Sequence, residues 1–600
     1  LWLSSRTPAS HLMIARLRPE ITPAQAQAAS QVLFRQLAGE RPDAIPWIEQ
    51  MRMEIVPAGR GLSQLRAQYE RPLLALGALV TLVLLITCTN IGTLLMVRNN
   101  ARRRELAVRA SLGAGRSRLV LQHLLESTVL ATLGGLVALI VARWGVSALL
   151  SMLPLAAVPE GLTFQIDGRI LAFTAGMTLF AAVLFGLAPA WRAGRVNLAD
   201  ALRSSQGTTA TRSSRRLGRV LVAFQVGLSV LLLIGTGLFV QTLRNLDRLN
   251  VGFNADQLLQ VVLDSNAGGY REPGQVGQLY TRLLERVAAI PGVRSVTGAR
   301  MPLMHGIMSR TSFRSLGPGR DLPPGDSWDS IEVGPSFFET MNIPLLRGRL
   351  FTRTDFDREQ TTIIVNESFA RHYFPGADPT TAAIGEAIVG VVGDAKIAGV
   401  RREAGPIMFF MARAADANRL DALQVRITGE ADAVARAIQA EISRVDPRLF
   451  VGISTMRQEI DRSIATERMV AATSAFFSVL ALLLVSIGIF GVASSNLVQR
   501  TSELAIRMAL GAGRWKVICE SLRDTLLVFA AGMAGGIIAA VVAVRLTATF
   551  LSDLLFGLSA ADAANIAGAV ALMVLVALAA CALPARRATR IDPLAAIRHE

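Results

Sequence analysis

Apolar residues gather along this chain in runs of about 20, the length of a helix that crosses a bilayer. Seven such runs are predicted as spans, at roughly 73–97, 124–145, 170–190, 219–240, 471–498, 522–546 and 563–584. Between the fourth and fifth runs the pattern changes. Residues 245–468 mix short alternating or β-rich stretches with amphipathic helical ones, which predicts one water-soluble α+β domain. Strands are expected at Leu258–Leu263, Val293–Val296, Thr361–Val365 and Ala387–Val392, and helices at Val276–Ala289 and Asp432–Ile442. Gly317-Pro318-Gly319 and Pro323-Pro324-Gly325 mark a loop between its two halves. Leu12–Leu17, Pro23–Ala38 and Met51–Val56 read as strand, helix, strand, an order repeated by Leu423–Ile427, Ala431–Val445 and Leu449–Ile453.

The polar connections carry a repeat. Glu105-Leu106-Ala107-Val108-Arg109, followed by Leu112-Gly113-Ala114-Gly115-Arg116, recurs 398 residues later as Glu503-Leu504-Ala505-Ile506-Arg507 and Leu510-Gly511-Ala512-Gly513-Arg514. A second pair, Arg192-Ala193-Gly194-Arg195 and Arg587-Ala588-Thr589-Arg590, repeats at nearly the same offset. A period this long, with spans inside each unit, means two tandem copies of one membrane module. The expected parts are a remnant of a first exterior domain (1–70), a first module with three spans (71–205) and a linker and span opening the second repeat (206–244). The exterior core domain (245–468) and a second module with three spans (469–600) follow. A counterpart of the 219–240 span is expected upstream of residue 1.

Charge orients the spans. Segments 98–118 and 191–219 each carry seven Arg against a single acid, whereas loops 154–169 and 547–562 hold one Arg between them. By the positive-inside rule the basic hairpins and the C-terminus are cytoplasmic, and 1–70 and 241–468 lie outside. The net charge of +17 is thereby assigned to membrane orientation, not to nucleic acid. The three cysteines, Cys88, Cys519 and Cys581, fall in spans or on the cytoplasmic side, so no disulfide framework is expected outside.

Each hairpin has a physical logic. Glu105 and Arg109 stand at i, i+4, a modest helix-stabilising pair. Gly113 is a helix stop, and a second helix climbs into the membrane from Gly115 and Arg116. The expected product is a short helix on the cytoplasmic face, bent sharply into a span. Glu503, Arg507, Gly511, Gly513 and Arg514 repeat it.

The exterior domain adds a second set of motifs. Phe337-Phe338-Glu339-Thr340-Met341-Asn342-Ile343-Pro344-Leu345-Leu346-Arg347-Gly348-Arg349 is followed by Val365-Asn366-Glu367-Ser368-Phe369-Ala370 and by Val389-Gly390-Val391-Val392-Gly393-Asp394. This stretch resembles the periplasmic domain of MacB-type permeases, and the hairpins resemble the FtsX-like permease domain of the same superfamily. The doubled layout is similar to the duplicated acidobacterial permeases, the ADOP branch. The resemblance implies a membrane α-helical fold with two FtsX-like modules and an α+β MacB-like periplasmic domain, placed in the bacterial inner membrane. It implies that the hairpins contact and transmit motion from a separate ATPase, which would bind the ATP. A periplasmic adaptor or envelope partner is compatible with it. Read without the resemblance, the hairpins are interfacial anchors.

The remaining chemistry is sparse. No Gly-x-x-x-x-Gly-Lys-Ser/Thr occurs, so no ATP site of the P-loop type is expected in this chain. There is no HExxH, no Gly-x-Ser-x-Gly and no midplane Asp, Glu or His suited to a proton relay, and the chain is not expected to be an enzyme. Thr87, Thr89 and Asn90 are expected to bond between helices, and Gly134, Gly135, Gly532, Gly535 and Gly536 to pack helices closely. Asp355, Asp357 and Glu359 read as an exposed turn cluster. Met301, Met304 and Met308 around His305 read as a packing or docking loop in preference to a soft-metal site. Neither a resident cofactor nor a metal is expected. Two functions remain: an export or mechanotransmission permease, or a non-transporting FtsX-type scaffold that regulates an envelope partner.

Overall fold

A computed structural model describes residues 16–18, 20–39, 64–111, 116–152, 167–193, 210–264, 268–270, 273–306, 308–311, 316, 322, 326–356, 362–381, 387–412, 420–499, 514–546 and 562–588. The chain divides into two compact units: residues 1–67 with 248–464, and residues 68–247 with 465–600.

The second unit is helical. Its helices are α2 (Gln64–Ser111), α3 (Arg116–Met152), α4 (Gly168–Ala193), α5 (Ala210–Asp247), α12 (Ala465–Gln499), α13 (Arg514–Leu546) and α14 (Ala563–Ala588). Six of them are long and apolar enough to cross a membrane. The seventh expected span falls on α4, whose described apolar stretch runs over Gly168–Phe180. Apolar side chains such as Leu133, Val137 and Ile140 stay exposed along α3, as lipid-facing residues do. The core of this unit forms around α5: Val222, Val226, Val230 and Ile234 are buried with Val485 and Ile489 of α12, Phe529 and Ala540 of α13, and Met573 and Ala577 of α14.

The first unit holds α1 (Pro23–Gly39) and the α+β domain. Its strands are β1 (Leu258–Asp264), β2 (Val293–Ala299), β3 (Ser309–Thr311), β4 (Trp328–Val333), β5 (Leu345–Gly348), β6 (Thr362–Asn366), β7 (Ala387–Val392), β8 (Ile407–Met411), β9 (Ala422–Ile427) and β10 (Phe450–Thr455). They form one sheet in the order β10-β1-β9-β2-β4-β8-β6-β7-β5, with β3 paired to β4. The β10-β1-β9-β2 half is antiparallel, with Val261 opposite Ile453 on one side and Leu423 on the other. Helices α6 (Pro273–Ala288) and α10 (Ala431–Val445) supply Leu279, Leu283, Val287, Ile438 and Ile442 to a core with Leu259, Val261, Val425 and Ile427. Fully burying each such side chain contributes about 1.5–3 kcal/mol. The other half packs Trp328, Ile363, Val365, Met408 and Ile388 around Phe369 of α9 (Glu367–Tyr373). Trp328 and Phe369 meet edge to face with centroids 5.2 Å apart. Short helices α7 (Phe337–Met341), α8 (Arg353–Phe356) and α11 (Met456–Ser463) complete the unit.

The strands expected at 258–263, 293–296, 361–365 and 387–392 are present, as are both helices. The expected strand at 51–56 and both Gly-Pro clusters between the halves lie outside the described residues, and so does most of the expected strand at 12–17. The flanking Leu316 is buried in the Trp328 core.

Candidate functional site

The hairpins are described in part. Glu105 and Arg109 sit in the last turns of α2, and Arg116 and Arg514 are the first residues of α3 and α13. Gly113, Gly115, Glu503, Arg507, Gly511 and Gly513 lie outside the described residues. One expectation changes. No separate surface helix precedes Gly113, because α2 continues unbroken from the span to Ser111. Neither Gly nor Pro occurs between Gly92 and Gly113, and Ala, Arg, Leu and Glu are good helix formers. At ~1.5 Å per residue a helix of 48 residues is roughly 70 Å long, more than twice the hydrocarbon thickness. The first arm of the hairpin is therefore a direct extension of a span.

In the second module, α13 leads away from the hairpin and packs on α5 through small residues. A Cβ on Gly532 would lie 2.4 Å from the Ala223 carbonyl oxygen, and one on Gly536 would lie 2.6 Å from that of Gly227. This is a Gly-x-x-x-Gly face seated on Ala-x-x-x-Gly, which lets the two backbones touch. Gly535, expected in the same role, has open space around it. In the first module Gly135 plays a lesser version, facing the Thr178 side chain of α4, while Gly134 has no neighbour within 4 Å.

Polar side chains tie α5 to its neighbours at several depths. Gln225 Nε2 donates to the Leu484 carbonyl of α12 at 3.1 Å. Thr236 Oγ1 donates to the Ser474 carbonyl at 3.1 Å and stands 2.7 Å from Ser478 Oγ. Asn565 of α14 donates to the Ile234 carbonyl at 2.9 Å, in the space left by Gly237. Gln241 donates to Asp562 at 2.6 Å. At the end of α5, Asp247 lies 3.8 Å from Arg468. The polar residues expected to bond between helices behave differently. Thr87 and Thr89 donate back to carbonyls one turn earlier in α2. A threonine hydroxyl reaches its own preceding turn without needing a partner helix. Arg143 and Arg545 are exposed, in keeping with charged ends that reach out of the apolar layer.

In the α+β unit, the segments that follow α5 and precede α12 are fastened to the sheet. Arg426, 9% exposed, reaches from β9 to the carbonyls of Asn254, Asp256 and Thr340. Arg457 of α11 pairs with the Asp256 carboxylate. The buried Glu459 accepts from Ser454 and Arg462, and its other oxygen stands 4.0 Å from His305 Nε2.

The motif residues of this unit are architectural. Asn366 Oδ1 accepts from the Phe369 and Ile407 amides, and its Nδ2 donates to Asp394 at 2.7 Å and to the Gly405 carbonyl at 2.9 Å. Ser368 adds its amide and hydroxyl to Asp394. One Asn, one Ser and one Asp thus join β6, β7, β8 and α9. The acidic turn cluster is corrected: Asp355 is 1% exposed and bidentate to Arg349 at 2.6 and 2.9 Å, with further bonds from Thr352. The Arg349 guanidinium holds its carboxyl well below the usual carboxylate range. Asp357 and Glu359 lie outside the described residues. Met304 is buried and its amide donates to the Ile397 carbonyl, so it packs, while His305 is exposed with Nδ1 2.9 Å from the Leu303 carbonyl. Among the described residues no cluster of three His, Cys, Asp or Glu suits a metal ion.

The FtsX-like permease C-terminal family matches residues 77–198 and again 475–593, and the MacB-like periplasmic core domain family matches residues 220–445. Among curated proteins, the macrolide export ATP-binding/permease protein MacB of Mannheimia succiniciproducens is 23% identical over 281 residues, 45% of this chain and 43% of that protein. The protein of the same name from Agrobacterium fabrum is 25% identical over 293 residues, with the same coverage of 45% and 43%. The chain thus spans less than half the length of these relatives. The crystal structure of the periplasmic region of MacB from Actinobacillus actinomycetemcomitans aligns at 13% identity and a TM-score of 0.24, covering 36% of this chain and 95% of that one. Two FtsX-like matches flank one MacB-like periplasmic core match, and with the apolar helices they make the chain a multi-pass inner-membrane protein similar to permeases of the MacB/FtsX type.

Proposed function

We propose that this protein is the permease component of an ABC-type export or mechanotransmission system, in which both membrane modules are fused in one chain and a separate ATPase supplies the energy. It belongs, on this reading, to the duplicated ADOP branch. The observation that carries the reading is the double FtsX-like match around a single periplasmic core. Both copies of the hairpin fall inside those matches. The ATPase docks on the hairpins around Glu105 and Glu503. Movement there passes directly along α2, which is one helix from Gln64 to Ser111, and through α13, whose backbone touches that of α5. From α5 and α12 the chain enters the periplasmic unit through segments fastened by Arg426 and Arg457.

The test is reconstitution with a P-loop ATPase of the same organism, sought first among the neighbouring genes. The permease should co-purify with that ATPase, and export substrate should stimulate hydrolysis. A fixed periplasmic partner with no substrate-stimulated hydrolysis would instead mark a non-transporting scaffold. Nucleotide binding by the permease chain itself would contradict the division of labour.

A further inference from the structure

The two modules meet along a seam that the repeat makes self-referential. In α2 the buried positions Leu79, Val83, Ile86 and Asn90 are spaced by four, three and four residues. That is the a/d spacing of a parallel two-helix seam. In α12 the positions 398 residues on are Phe477, Ala481, Leu484 and Gly488. Leu79, Val83, Ile86, Phe477, Ala481 and Leu484 all fall in one apolar cluster, closed by Leu232 of α5. Residues at repeat-equivalent positions of α2 and α12 thus share one cluster, and the two helices approach directly where Asn90 meets Gly488.

At the last layer the equivalence breaks. Asn90, 3% exposed, stands over bare Gly488: a Cβ there would lie 3.2 Å from Asn90 Oδ1 and 2.9 Å from Gln225 Oε1. Gln225, 1% exposed, is held in place by its bond to the Leu484 carbonyl. Among the described residues, neither Asn90 Oδ1 nor Gln225 Oε1 has a hydrogen-bond partner of its own. Two amides therefore share the space that one missing side chain leaves open. A seam between two identical first modules would set Asn90 against Asn90 with no glycine to receive it. A seam between two identical second modules would set Gly488 against Gly488 and leave a gap. A single polar residue at an a position is a known means of fixing partner and register in helix pairs.

We propose that the Asn90–Gly488 layer is a specificity lock, which makes the first module pair with the second module of the same chain and not with its own copy in another chain. The inference rests on the reading that the two fused modules work as a pair.

The lock is tested in the full chain with Cys88, Cys519 and Cys581 replaced, carrying L79C and F477C and treated with a short bis-maleimide in native membranes. An intrachain cross-link is expected, with no two-chain product from either single-cysteine protein. Gly488→Asn should slow the intrachain reaction at least tenfold, and Gly488→Ala several-fold, so the second variant decides if the first does not insert. Asn90→Gly should allow L79C alone to join two chains. An unchanged rate in Gly488→Ala, or two-chain products with the lock intact, would overturn the proposal. Cross-linking needs no ATPase, so a failed lock leaves the permease reading standing, and a failed ATPase association leaves the lock standing.

Discussion

Gly532 presses its bare α-carbon on the Ala223 backbone, so that a side chain there would start 2.4 Å from a carbonyl oxygen. Backbone cannot step aside as a flexible side chain can. Gly532→Val should therefore push α13 off α5, at a cost of about 1–3 kcal/mol or more. Gly535→Val is the matched control, because nothing stands within 4 Å of its Cβ. Thermal unfolding in nanodiscs should show a lowered midpoint for the first variant and little change for the second.

Arg426 donates to the carbonyls of Asn254, Asp256 and Thr340. Arg426→Met keeps much of the apolar stem but strands those acceptors, each at roughly 1–3 kcal/mol where burial persists. Hydrogen exchange should accelerate around residues 254–257 and 340. Unchanged protection in that segment would show that the staple is dispensable.

The Arg349–Asp355 pair gives a prediction in pH. The folded carboxyl is held below its ordinary value of 3.8, first by the Arg349 hydrogen bonds. Its stabilisation is therefore fully present above the unfolded value and is lost as pH falls below about 4 toward the folded one. Asp355→Asn should lower stability at pH 7 and flatten the acid limb of the unfolding profile. The two proteins should converge in stability only as pH falls to the depressed value of the folded carboxyl, well below 3.8.

Topology gives an independent check. Glu285 is exposed on α6 in the periplasmic unit, and Gln206 lies in the basic segment assigned to the cytoplasm. In the cysteine-replaced protein, E285C should react with an impermeant maleimide from outside and Q206C should not. The reverse pattern would invert every span.

The sequence made the spans legible because a bilayer demands about 20 apolar residues in a row. It made the antiparallel half of the sheet legible because strands such as Leu258–Asp264 are bounded and β-rich. It hid β8, where Ile407–Met411 is a short apolar run buried by neighbours distant in sequence. Asp355 looked like solvent-facing turn because Arg349, the residue that pairs with it, folds back only in three dimensions. Gln225 finds its partner 259 residues away, in a different helix. A signal was present: Gln225, Ser229 and Thr236 recur at spacings of four and seven in one apolar span, a polar stripe on one helix face. The hairpin motif itself was legible as a repeat, but the unbroken length of α2 was not, since a motif ending in glycine does not say where its helix began.

The account stands or falls on the hairpins as the grip of a separate ATPase. Glu105→Arg and Glu503→Arg each remove an i, i+4 pair expected from the sequence, worth only about 0.2–0.5 kcal/mol, and add a like-charge pair of similar size. Both variants should insert normally and keep their thermal transition, since typical folding margins are roughly 5–15 kcal/mol. The decisive measurement is co-purification of the ATPase with each variant, alongside substrate-stimulated hydrolysis. The account predicts loss of association in both. Full association and hydrolysis in both would reduce the hairpins to anchors and contradict it.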